Sequence, residues 1–141
     1  MVKCPYLKNS IPAIVWALFV LTLTALPGNY FPKVTRFLDW LSPDKAAHLL
    51  MFGILAFLTA YPFKKTFAER KKRSSVSYFV LTTGIVYGGL TELLQAYVFI
   101  GRSGNLYDFL ADIVGTLLGF GIFLLWQKKV RRSHAPNKII M

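Results

Sequence analysis

The chain has 141 residues, 55% apolar and only 16% charged, with mean hydropathy +0.47, yet 17 Lys and Arg against 6 Asp and Glu leave a formal charge of +11. Such apolarity excludes intrinsic disorder and exceeds that of an ordinary soluble domain. The single cysteine, Cys4, excludes an internal disulfide and a multi-cysteine metal site.

Four apolar runs follow one another along the chain, at 11–26, 46–63, 76–100 and 107–126. A helix needs about 20 residues to cross the hydrocarbon core, so the first is short and the third can tilt or extend. The expected fold is an all-α, four-transmembrane-helix bundle forming a single domain over 1–141. Lys3 and Lys8 before the first run also suit a secretory signal peptide, but no Ala-x-Ala-like site occurs across Thr22 to Gly28, and an uncleaved span is the better reading. Pro12 is expected in the first turn of that span.

Between the first two spans, Phe31, Val34, Phe37, Leu38 and Leu41 recur at helical spacing opposite Lys33, Arg36 and Asp39. This predicts either a short extracytoplasmic interfacial helix or an amphipathic connector packed on the bundle. The stretch Lys64 to Ser75 reads as a basic loop, and the tail 127–141 as loose.

The positive charge falls in blocks between spans, which argues against a nucleic-acid partner. Thirteen Lys and Arg lie in the N-terminal tail, the second loop and the C-terminal tail, against four in the other two connections. This asymmetry predicts both termini in the cytoplasm and places the first and third connections outside.

Under that topology, Asp44, Lys45, His48, Glu92, Gln95, Arg102, Asp108 and Asp112 all gather at one membrane face. A charged side chain at mid-span costs about 2.5–3.5 kcal/mol, so Glu92 and Asp112 must face protein or water. In the fourth span Asp108, Asp112, Gly115 and Gly119 share one stripe, and in the third so do Gly84, Gly88, Glu92 and Gln95. Small residues admit close helix approach, which predicts that these antiparallel spans press their glycines together in the inner half and open a polar pocket outward. Each polar residue also has a structural role open to it. Asp44 can serve the dipole of a helix entered through Ser42 and Pro43, Asp108 can complete a cap begun at Asn105, and His48 can hydrogen-bond Glu92 or Asp112. Glu92 and Asp112 can pair with Arg102 or Lys45, and Gln95 can link helices. Ser103, beside Gly104, reads as a turn residue.

The ligand types are acceptable for a divalent ion, but their spacing matches no metal signature, so no metal or cofactor is expected. General acid/base work by Glu92 with Asp108 or Asp112 is better motivated than nucleophilic catalysis, since burial and a nearby guanidinium pull carboxylates apart in acidity.

At these residues the sequence resembles the VanZ-like family of small integral membrane proteins. The resemblance is carried by Asp44-Lys45-x-x-His48, by Glu92-x-x-Gln95, and by Gly101-Arg102 followed by Asp108, Asp112 and Gly115. It runs from about residue 44 to the mid-120s, with Asp112 standing where the family more often shows asparagine. The resemblance implies a bacterial cytoplasmic-membrane protein of the cell envelope, whose founding relatives are associated with low-level resistance to teicoplanin; it supplies no reaction.

Taken together, these features favour a non-enzymatic envelope protein in which Asp44, His48, Glu92, Gln95, Arg102, Asp108 and Asp112 engage a lipid head group, a cell-wall lipid intermediate or a partner protein, with Arg102 as the anion contact. The alternative is a membrane enzyme on a lipid-linked phosphate or glycan, with Glu92 and Asp108 as the acid/base pair and His48 as a further candidate. A proton-coupled transporter fits less well, because no acid continues the path inward. Membrane lipids are the expected surroundings, and a homo-oligomer stays open.

Overall fold

The structure, a computed structural model, describes residues 5–26, 43–100 and 104–133. Every regular element among them is helical: α1 (Pro5–Ala25), α2 (Pro43–Ala60), the short α3 (Lys64–Ala68), α4 (Arg73–Tyr97) and α5 (Leu106–Ser133), with 3-10 turns at Tyr61–Phe63 and Arg70–Lys72. The interfacial helix expected at 31–41 lies outside the described residues.

Three stretches, Lys8–Ala25, Pro43–Ala68 and Leu106–Ser133, are long and apolar enough to cross a membrane. With 25 residues, α4 is as long as a span requires. Thr82, Thr83, Thr91, Glu92 and Gln95 make it less apolar than the other three, and of these Thr91, Glu92 and Gln95 are buried by neighbouring helices. The molecule accordingly carries its polarity inside. Ile14, Leu18, Leu50, Val86, Leu118 and Leu125 are exposed, while Thr24, His48, Glu92, Gln95, Asp112 and Thr116 are buried. This inverted pattern suits a hydrocarbon solvent.

Element boundaries depart from the sequence expectations in three places. Among the described residues α1 runs from Pro5, ahead of the apolar run, so it contains Pro12 instead of opening on it. The segment 64–75 is no plain loop, because Phe67 is buried against Phe120 and Phe123 and its carbonyl accepts bonds from Arg73 Nε at 3.4 Å and Arg131 Nη2 at 3.5 Å. The tail expected to be loose from residue 127 is helical through Ser133, since Gln127 is buried and donates to the carbonyl of Lys64 at 2.9 Å. Arg131 and Arg132 in that last turn also favour the negative end of the helix dipole.

Residue pairings fix the helix directions. His48 meets Asp112, Leu49 meets Gly115 and Gly53 meets Gly119, so α2 and α5 run parallel. Gly84 meets Thr116 and Gly88 meets Asp112, so α4 runs antiparallel to α5. Trp16 Nε1 donates to the carbonyl of Met51 at 2.9 Å, and Tyr87 Oη to that of Ala17 at 2.6 Å, tying α1 to α2 and α4.

The glycines therefore do not press against one another as expected. Gly115 and Gly119 admit the α2 backbone at Leu49 and Gly53, whereas Gly84 and Gly88 admit the side chains of Thr116 and Asp112. A Cβ on Gly119 would meet the carbonyl of Gly53, which is backbone and cannot rotate away. Overpacking of this kind costs about 1–3 kcal/mol or more. Gly119→Ala is thus expected to lose about that much stability in detergent and to lower the unfolding midpoint, while Gly121→Ala, with nothing within 4 Å of the added Cβ, should not lower it. Thermal unfolding followed by circular dichroism checks both.

Candidate functional site

The candidate site lies where the C-terminal end of α4 meets the N-terminal ends of α2 and α5. Pro43 opens α2 with Asp44 in its first turn. His48 follows about 6 Å beyond Asp44 along the axis at 1.5 Å per residue. It is almost fully buried, and its Nδ1 lies 2.9 Å from Asp112 Oδ1 and 3.9 Å from Glu92 Oε1. One imidazole thus serves two carboxylates from two other helices. Among the described residues, His48 is the basic side chain within 4.0 Å of either acid.

Each carboxylate is held differently. Gly88 brings the α4 backbone against Asp112, such that an added Cβ there would lie 3.0 Å from Asp112 Cβ and Oδ2. Glu92 Oε2 accepts the backbone N–H of Asn105 at 2.8 Å. Asn105 in turn caps α5, its Oδ1 accepting the N–H of Tyr107 at 3.0 Å. In a capping box the third-position acid would reach back to the cap N–H; that place belongs to Asp108 by sequence, but Glu92 fills it from another helix. Asp108 is buried instead, and together with Asp44 and His48 offers ligand-type atoms all within 4.8 Å of one another. His48, Glu92 and Asp112 form a second such group.

The remaining candidates fall into place around this node. Gln95 is buried, but its amide donates to the carbonyl of Thr24 at 3.1 Å, a link from α4 to α1. Lys45 lies 5.6 Å from the centroid of the Tyr107 ring, joining the starts of α2 and α5. Arg102 and Ser103 lie outside the described residues, as does Ser42. Sequence reasoning passed over Asn105 as more than a cap, and it missed Gly104 and Thr116. A Cβ on Gly104 would come within 2.7 Å of the Glu92 carbonyl, so only glycine lets the connection lie this close to α4. Thr116 is buried one turn below Asp112, with its Oγ1 outside any hydrogen bond among the described residues. The signal available for Gly104 and Asn105 was the short, glycine-containing link between two acid-bearing helices.

Chemically, the node groups ligand types that could hold a cation, and the hydrogen bond between His48 and Asp112 is a path for a proton between those two residues. Breaking a buried pair by removing one partner costs about 3–5 kcal/mol, because the other charge is left without compensation. His48→Leu should therefore destabilise the protein by about that much. The double variant His48→Leu/Asp112→Leu should recover a large part of the loss. A double-mutant cycle on unfolding midpoints measures this, and additive losses would show that the two residues are uncoupled.

Comparison with known proteins returns no match among curated proteins and none among solved structures. A family model described as VanZ/LLP1 matches residues 9–127, from the first turns of α1 to the buried Gln127 of α5 and so across every helix that contributes to the node. The apolar, lipid-suited exterior and this match over most of the length agree, and the chain is a membrane protein belonging to the VanZ/LLP1 family.

Proposed function

We propose that the polar node engages the phosphate-bearing head group of a lipid or of a lipid-linked cell-wall intermediate at the outer face of the bacterial cytoplasmic membrane. Through this engagement the protein contributes to teicoplanin resistance. The observation supporting the reading is the convergence of His48, Glu92 and Asp112 at one end of the bundle, with Arg102 in the short sequence that links α4 to α5. Idle acids are costly at membrane depth, and a guanidinium in the adjoining connection suits bidentate contact with phosphate. Orientation follows from the basic residues. Lys64, Lys65, Arg70, Lys71, Lys72, Arg73, Lys128, Lys129, Arg131 and Arg132 lie at the end away from the node, and this basic excess supports a cytoplasmic side for that end and for both termini.

The experiment is teicoplanin susceptibility in a sensitive bacterial host at matched protein levels. Wild type should raise the inhibitory concentration, and Glu92→Gln or Arg102→Ala should each abolish most of the increase. Native mass spectrometry of purified protein should likewise show phosphatidylglycerol retained by wild type and released by Arg102→Ala. Retention and resistance unchanged in both variants would remove the node from the role.

A second reading, a membrane enzyme acting on a lipid-linked phosphate or glycan, is favoured by the 2.9 Å contact between His48 and Asp112, the arrangement of a general base oriented by an acid. Glu92 and Asp108 would then act as the acid/base pair, with His48 able to share the base role. Incubating the folded protein with radiolabelled envelope lipids separates the readings: turnover lost in Glu92→Gln supports catalysis, and intact lipid throughout supports binding alone.

A further inference from the structure

An acid-rich node is an unexpected neighbour for phosphate. Glu92 and Asp112 are both buried, with Asp112 fully inaccessible, and both approach the same nitrogen of His48. One imidazolium can neutralise one carboxylate, leaving the second to find its counter-charge elsewhere. Two oxygens are left without a hydrogen-bond partner among the described residues, Glu92 Oε1 and Asp112 Oδ2, and the first of these faces His48 Nδ1 at 3.9 Å. A buried carboxylate oxygen without a donor is expensive, which points to a cation as the missing partner.

The geometry admits a metal ion. Donor atoms about 2.0–2.2 Å from a common ion lie roughly 2.9 Å apart at octahedral angles and roughly 3.4 Å apart at tetrahedral ones. The separations of 2.9 and 3.9 Å from His48 Nδ1 bracket that range, and the ligand-type atoms of His48, Glu92 and Asp112 all lie within 4.8 Å of one another. The three ligands come from three helices locked in register by glycine contacts, so the donors are positioned by rigid elements. One imidazole with two carboxylates suits Zn²⁺ or Mn²⁺, and three protein ligands leave at least one coordination position open.

We propose that His48, Glu92 and Asp112 bind a divalent cation, Zn²⁺ or Mn²⁺, and that the open position of this cation takes a phosphate oxygen of the head group. The first half stands on the node alone; the second rests on the head-group reading above. The cation supplies the charge that turns an acidic node into an anion site. It also accounts for Glu92 keeping one oxygen on the Asn105 N–H while presenting the other to His48.

Metal binding is measured first and without lipid. Full-length protein in detergent is stripped with chelator, then titrated with Zn²⁺ and with Mn²⁺ by calorimetry, and bound metal is counted by elemental analysis. Wild type should take up one ion per chain and gain about 5 °C or more in Tm at a concentration about 100 times Kd. Glu92→Gln and Asp112→Asn should each weaken binding by more than the 10- to 100-fold typical of an outer-sphere partner. Gly121→Ala should bind as wild type does. Circular dichroism confirms that each variant is folded, and the visible spectrum of the Co²⁺-loaded protein reports nitrogen and oxygen ligation that should change in Glu92→Gln.

Folded wild type that binds neither ion overturns the proposal, as does binding retained to within threefold in both carboxylate variants. Stability that responds to pH while no metal binds would identify the missing partner as a proton and overturn it equally. Phosphatidylglycerol retained by protein that binds no metal would remove the cation and leave the head-group reading in place. Stoichiometric metal without lipid retention would support the cation site and overturn the head-group reading.

Discussion

Everything in this molecule hangs on how closely α5 lies against α2. Gly115 and Gly119 leave room for the α2 backbone at Leu49 and Gly53, and no other side chain would. Without a hydrophobic drive between helices in lipid, such close packing is what holds them together. It also sets the register. With Leu49 fixed on Gly115 and Gly53 on Gly119, His48 comes opposite Asp112, and the contact one turn above the glycines is polar by geometric necessity. The candidate site is thus the continuation of a packing seam into which ionisable residues have been written.

The second helix of the seam, α4, is anchored by the same residues. Thr116 fills the space against Gly84 and Asp112 that against Gly88, so α5 presents glycines to one neighbour and side chains to the other. At the node these two contacts converge, and Asp112 touches both α2 through His48 and α4 through Gly88. Away from the node, the interior turns aromatic, with Phe67, Phe120 and Phe123 packed edge to face or stacked at centroid distances of 5.4 to 6.1 Å. Irregular, dispersion-bound packing at that end contrasts with directional polar contacts at the other.

Much of this was legible in the sequence and some was not. Hydropathy located four helices, because lipid imposes long apolar runs that no tertiary contact needs to override. Helical periodicity put Asp108, Asp112, Gly115 and Gly119 on one face and Gly84, Gly88, Glu92 and Gln95 on another, and these faces do point inward. Which helix each face meets could not be read, since small residues announce that something approaches without naming it. Gly53, a lone glycine within an apolar span, was the unread half of the pair. Gln95 shows the same limit: periodicity grouped it with Glu92, yet its amide reaches Thr24 on α1, a contact that depends on a parallel neighbour 71 residues away. The helical segment 64–75 was hidden by its charge, because the single buried Phe67 outweighs the basic residues around it only once Phe120 and Phe123 are in place.

The capping exchange at Asn105 couples the polar end of one helix to the start of the next. A capping box closed by Asp108 would have been local, satisfied within the first turn of α5 and indifferent to the rest of the bundle. Here the cap N–H is bonded by Glu92, so the start of α5 is tied to the end of α4, and Gly104 lets the connection lie close enough for that bond to form. Asp108 is buried beside Asp44 and His48. A bundle built only for stability would gain by keeping the acid in its cap and leaving apolar residues at 92 and 112, since a buried charge network is seldom more stable than well-packed hydrocarbon. The chain instead commits one oxygen of Glu92 to holding the helix start and leaves the other turned toward an imidazole already engaged by Asp112. That division, one oxygen for architecture and one turned toward the imidazole, is the feature on which the proposed binding role rests.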